Sequence, residues 1–98
     1  MSGYRFSDKA VEDLLDIDDY TLAEFGPAQA KRYRTQIERT CAIIGETPEL
    51  GRLIDEIVPA VRFFPCGSHI LVYVIDTIGV LIVRVRHQRE DWKDEGPG

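Results

Sequence analysis

The run Arg84-Val85-Arg86-His87-Gln88-Arg89-Glu90-Asp91 is the stretch best equipped for chemistry. A histidine moves protons near neutral pH, and the flanking Arg84, Arg86 and Arg89 offer fixed positive charge to an anion. These are the groups that acid–base cleavage of RNA needs, with His87 handling the proton and the arginines the charge on the phosphate. The same residues beside an acidic tail would equally form plain salt bridges. The other histidine, His69, adjoins a turn and reads as a strand-end residue. Cys41 and Cys66, the only cysteines, stand far apart without CxxC or HxxxH spacing. That argues against zinc, and both read as packing residues. There is no GxGxxG, Walker loop or GxSxG, so neither cofactor nor metal is expected.

The elements that position these residues follow from periodicity and breakers. Tyr4-Arg5-Phe6 alternates and reads as a short first strand. Ser7 is a plausible N-cap, and Asp8 suits the positive end of a helix dipole. The first helix is expected over about 8–24, with Val11, Leu14, Leu15, Leu22 and Phe25 forming one apolar stripe. Gly26-Pro27 breaks the chain and starts a second helix over about 27–44, with Ala30, Tyr33, Ile37, Cys41 and Ile44 inward. Gly45 is expected as its C-cap. So short a break makes the pair an antiparallel hairpin. Residues 46–59 read as a connecting loop tethered by Leu50, Leu53, Ile54 and Ile57. Strands over 60–64, 68–76 and 80–86 then form an antiparallel meander with short turns. The fold class is α+β: short N-terminal strand, antiparallel helical hairpin, three-stranded antiparallel meander. One domain spans 1–93, and 94–98 reads as a flexible tail.

Alternation assigns faces. In the last strand Leu81, Val83 and Val85 are expected toward the helices, and Ile82, Arg84 and Arg86 away from them. Arg62 is expected to join Arg84 and Arg86 in a basic strip. The strand from His69 to Ile75 is apolar on both faces, as in a central strand covered on both sides. Two helices cover one face. Ile70, Val72 and Val74 on the other therefore call for a partner protein.

Composition sets the frame. The chain has 98 residues, 44 % hydrophobic and 30 % charged, room for one modest core burying roughly two-thirds of the unfolded surface. Its net charge of −5 makes bulk nucleic-acid binding a poor expectation. Residues 1–30 carry net −5, residues 31–89 net +3 and residues 90–98 net −3. No apolar run approaches the ~20 residues that span a bilayer, and no cleavable signal is evident, so a cytoplasmic setting with reduced thiols is expected.

The order of these segments resembles the RelE/ParE superfamily of bacterial toxins, ParE-like branch, from Tyr4 to Trp92. YRFSDKAVEDLLDIDDYTLAEFG resembles the family's strand-Ser-helix opening. ETPELGRLIDE resembles its P-x-x-G-R loop, carried by Pro48, Gly51 and Arg52. VRFFPCGSHILVYVID is similar to the strands bearing an arginine and a tyrosine, here Arg62 and Tyr73. VLIVRVRHQREDW resembles the last strand with its His-x-Arg-x-Asp tail, here His87, Arg89 and Asp91. The resemblance implies the toxin of a type II toxin–antitoxin system, held inactive in a hetero-oligomer by a ParD-like antitoxin and directed at DNA gyrase. It implies no membrane and no sequence-specific DNA binding. Target or antitoxin contacts are expected at Arg62, Arg84, Arg86, His87, Arg89 and Trp92, and antitoxin cover over Ile70, Val72 and Val74. The alternatives are a ribosome-dependent mRNA endonuclease using Arg62 and His87, and a non-toxic binding module. The chain departs from the nucleases in its acidity and in Gln88, where the nuclease pattern carries tyrosine; the expected toxin is a gyrase inhibitor rather than an enzyme.

Overall fold

A computed structural model describes residues 3–89. Trp92 and the tail at 94–98 lie outside the described residues. The first strand, β1 (Tyr4–Phe6), leads into α1 (Asp8–Phe25) and α2 (Pro27–Glu46). One turn of 3₁₀ helix (Pro48–Leu50) precedes β2 (Arg52–Ile54), β3 (Val61–Cys66), β4 (His69–Ile75) and β5 (Val80–His87). The sheet order is β1-β5-β4-β3-β2, with β1 parallel to β5 and the rest antiparallel.

The helical hairpin forms as its punctuation dictates. The Ser7 hydroxyl accepts the Ala10 N–H at 3.0 Å and so caps α1. Gly26 takes φ 87°, a conformation that L side chains rarely adopt, and Pro27 opens α2. Gly45 does not end α2, which runs on to Glu46. A β-carbon there would stand 3.2 Å from the Gly3 carbonyl oxygen. Gly45 therefore serves the close passage of the N-terminal segment, not a cap.

α1 also turns differently from the expected stripe. Ala10 and Thr21 are buried and Leu14 and Ile17 pack on the core, whereas Val11, Leu15, Leu22 and Phe25 are between 43 % and 65 % exposed. Small residues on the inner seam let the helices and the sheet approach closely. In α2, Ala30, Ile37, Cys41 and Ile44 are buried as the spacing requires. Burial pushes the Cys41 thiol up to about 12, with the nearby Cys66 and Glu38 adding to it. Burial also raises the Cys66 thiol, against the Thr40 hydroxyl 3.3 Å away. Both cysteines are packing residues.

The sheet adds a strand and a bulge to the expectation. β2 lies within the segment read as loop; Ile54 is buried there, while Leu50 and Leu53 are about half exposed. In β5, Arg84 pairs with Val72 and Ile82 with Tyr73, so Val83 is the extra residue of a β-bulge. The bulge exchanges the faces on its N-terminal side. Val80 and Ile82 join Val85, Leu71 and Tyr73 in the core beneath the helices. Leu81, expected in the core, pairs instead with Val74 on the far face.

Candidate functional site

The P-x-x-G-R loop is built around Tyr73. This fully buried phenol donates to the Pro48 carbonyl at 2.5 Å and accepts the Gly51 N–H at 2.8 Å. Burial raises its pKa, against the Gly51 N–H and the Arg62 charge. A β-carbon on Gly51 would stand 2.7 Å from Tyr73 Cε1 and closer still to the hydroxyl, so only glycine fits against the ring. Arg62 completes the latch by donating to the Gly51 carbonyl at 2.8 Å and the Glu49 carbonyl at 3.3 Å. Arg62 pairs with Tyr73 and so lies on the helix side of the sheet, not in a strip with Arg84 and Arg86.

The opposite end of β4 is open. His69 pairs with both Cys66 and His87, and the two imidazole centroids stand 5.2 Å apart, edge to face. Tyr33 from α2 places its hydroxyl 2.6 Å from His69 Nδ1 and accepts the Ser68 N–H at 3.0 Å. His87 Nδ1 accepts the Arg89 N–H at 3.1 Å. These rings border a groove of about 510 Å³ with Asp16, Tyr20, Phe25 and Gln29 among its walls. The tight turn between β3 and β4 holds His69 in place. Gly67 takes φ 59° there, and a β-carbon on it would meet the Tyr33 ring at 2.6 Å.

The arginines of β5 have separate tasks. Beyond Ile82, β5 has no strand on its outer side among the described residues, and Ser7 and α1 supply partners. The Ser7 hydroxyl donates to the Val83 carbonyl at 2.8 Å. The Asp13 carboxylate accepts from Arg84 Nε at 2.8 Å, from its Nη2 at 3.0 Å and from the Val85 N–H at 2.9 Å. Arg84, expected away from the helices in a strip with Arg86, is thereby tied to α1 at the bulge. Arg86 pairs with Ile70, and Arg89 is exposed.

Arg62 and His87 do not meet. Arg62 is level with Tyr73 and His87 with His69. Four residues of β4 separate those levels, about 13 Å along a strand. Among the described residues, no group of His, Cys, Asp and Glu side chains is placed to hold a metal.

The far face of the sheet carries Ile70, Val72 and Val74, alternating with the helix-facing Leu71 and Tyr73. Phe63 and Leu81 flank them across the strands. Val72 is buried, and Ile70 and Val74 are half-buried. Arg5, Arg52 and Arg86 stand at the margins by register. The result is an apolar centre with a basic rim.

Residue types point to Arg62, Arg84 and His87, but not to Asp13 as the partner of Arg84 or to His69, with Tyr33 on it, as the neighbour of His87. Tyr33 fits the α2 stripe and does pack against the core, and nothing in that spacing shows that its hydroxyl reaches His69. Asp13 falls among several acidic residues of α1, and only the tertiary path of α1 along β5 distinguishes it.

A family model described as "ParE toxin of type II toxin-antitoxin system, parDE" matches residues 4–92. Toxin ParE1 of Mycobacterium tuberculosis is 36 % identical over 91 residues, covering 92 % of this chain and 93 % of that protein. Toxin ParE1 of Caulobacter vibrioides is 34 % identical over 88 residues, covering 90 % and 91 %. Toxin ParE of Escherichia coli is 31 % identical over 93 residues, covering 93 % and 89 %. A solved structure titled "Chromosomal ParDE TA system from P. aeruginosa" shares the fold at TM-score 0.75 and 20 % identity, covering 89 % of this chain and 96 % of that one.

Proposed function

Because the chain belongs to the ParE toxin family of type II toxin–antitoxin systems, we propose that it inhibits DNA gyrase and that a ParD-like antitoxin holds it inactive. The family match across residues 4–92 carries this reading. The geometry supports gyrase over mRNA cleavage. Arg62 is engaged by two backbone carbonyls, and it stands about 13 Å along the sheet from the level of His87. That separation does not favour the two acting on one phosphate. Arg62 and Arg84 position the loop and the bulge, while Arg86, His87 and Arg89 meet the target; Trp92, a further target contact in this reading, lies outside the described residues. Arginine and tryptophan are the residue types that most often anchor protein interfaces.

The antitoxin covers the far face at Ile70 and Val74; Val72 between them, expected to need that cover, is already buried within the chain. An apolar centre rimmed by arginines suits a segment presenting apolar side chains flanked by carboxylates. Such a segment can order as it binds. The toxin then acts in the cytoplasm, where its target resides, and needs no cofactor.

The test is DNA supercoiling by gyrase in the presence of purified, antitoxin-free protein, scored for inhibition and for cleaved DNA. Inhibition with trapped cleavage is expected. Undiminished supercoiling by a protein shown to be folded would overturn the gyrase reading and shift weight to mRNA cleavage or simple binding.

A further inference from the structure

The outer surface of the helical hairpin carries opposite charges on its two helices. On α1, Glu12 and Asp19 are exposed and seven residues, two turns, apart, beside Leu15 and Leu22. On α2, Arg32 and Arg39 are exposed and also seven apart. Among the described residues, Glu12 meets Lys9, at 3.9 Å, and Arg32 meets Gln29. Asp19 and Arg39 are in no ion pair among the described residues.

The hairpin register makes this pattern self-complementary. Asp18 pairs with Arg34 across the two helices at 2.7 Å, so these residues stand at the same height. Glu12 is then level with the neighbourhood of Arg39, and Asp19 with that of Arg32. A two-fold axis parallel to the helices preserves height while laying α1 of one copy over α2 of the other. We propose that this hairpin face is a two-fold interface with a second copy of the same chain, in which Glu12 faces Arg39 and Asp19 faces Arg32 of the other copy.

The charges select this arrangement over its rivals. A two-fold axis across the helices would stack α1 on α1 and set like charges together. An anionic polymer drawn to Arg32 and Arg39 would be repelled by Glu12 and Asp19 beside them. A self-pair satisfies both stripes and covers Leu15, which is 60 % exposed, and Leu22, 47 % exposed. Two helices of this length offer roughly 550 Å² per copy, about 1,100 Å² in all, at the lower end of specific interfaces. The dimer is therefore weak and salt-sensitive.

Sedimentation velocity of the full, antitoxin-free chain over a concentration series tests this. Twice the monomer mass is expected at high concentration and low salt, falling back as salt rises. Glu12→Lys with Asp19→Lys, and separately Arg32→Glu with Arg39→Glu, should each weaken self-association at least about tenfold. An equimolar mixture of the two should restore the dimer, since each then meets its opposite. Circular dichroism melts confirm folding; if a double variant fails to fold, single Asp19→Lys and Arg32→Glu variants take the same test. A wild-type chain monomeric at every concentration, a dimer indifferent to either reversal, or a mixture that stays monomeric would each overturn the proposal.

Discussion

Tyr73 and Tyr33 use the same group for similar tasks at opposite ends of the sheet. Each phenol accepts a backbone N–H from a loop, Gly51 in one case and Ser68 in the other. Their surroundings differ. Tyr73 is fully buried, and its other bond goes to a main-chain carbonyl. Tyr33 is half-buried beside an open groove, and its closest partner is an imidazole. Burial raises both pKa values, and the loop N–H opposes it in both. One end of β4 thus spends its polar side chains on fixing backbone. The other leaves titratable rings where a partner can reach them. The lesson is that Arg62 and His87, equally suspect by residue type, belong to different categories of use.

Tyr73→Phe should produce the largest effect. It leaves the Pro48 carbonyl and the Gly51 N–H without their partner in a closed site. Each orphaned group costs about 1–3 kcal/mol, so a loss of about 3 kcal/mol and a fall in Tm of roughly 15 °C are expected by thermal denaturation. A change under 1 kcal/mol would mean that water replaces the hydroxyl and that this end is no more closed than the other.

Arg62→Ala comes next. It removes two donors from the same loop but leaves carbonyls that solvent can partly reach, a loss of about 1–2 kcal/mol. If Arg62 is a latch and not a target contact, the variant keeps its gyrase inhibition when assayed well below its Tm. Full loss of inhibition by a folded Arg62→Ala protein would move Arg62 to the target surface and break the contrast between the two ends.

Tyr33→Phe should cost less than Tyr73→Phe, about 1 kcal/mol, because the groove admits water to Ser68 and His69. Its sharper readout is His69 itself. Loss of the hydroxyl on Nδ1 should move the His69 ring resonances in an NMR pH titration and leave the Tyr73 loop unshifted. Parallel shifts at both ends would show that the two latches are coupled through β4.

The distinction was only partly visible in the sequence. Ser7, Gly26-Pro27 and the short turns mark element ends through local chemistry, and the helices and the meander follow from them. The face of β5 did not follow. Val80-Leu81-Ile82-Val83 has no polar residue to fix an inward side, so the bulge at Val83 leaves no trace in the alternation. Arg84 and Arg86 anchor the reading only beyond it, which is why Val85 fell on the expected side and Ile82 did not. The strand Arg52–Ile54 is too short to alternate, and it forms only because β3 offers an edge. Sequence does not place Arg62, because a guanidinium that binds carbonyls and one that binds phosphate look alike there. The Gly51 motif was noticed by resemblance, but its cause, the Tyr73 ring against the glycine, is a contact 22 residues away.

The turn from β4 to β5 closes by a third device, and it should give the smallest effect. Asp76 accepts the Ile78 and Gly79 N–H groups at 2.9 and 3.0 Å and meets Arg5 of β1 at 2.6 Å. The Arg5 hydrogen bond, helped by those N–H groups, lowers its carboxyl from 3.8 to about 2. A carboxylate depressed on folding adds stability above its unfolded value, and that stability is lost as pH falls through the folded one. The Asp76 contribution should therefore be whole above about pH 5, be lost as pH falls through about 2 and be gone only below it. Comparing melts of the wild type and Asp76→Asn across this range isolates it from the other carboxylates. The Tm difference should be small near neutral pH, shrink with added salt because the pair is exposed, and vanish in acid. The Tyr73 variant should keep its deficit over the same range, since its phenol does not titrate there and its partners are backbone groups. An Asp76→Asn deficit that persisted well below pH 2 would mean that the loss is not one of charge, since the Asn amide oxygen still offers an acceptor to the Ile78 and Gly79 N–H groups.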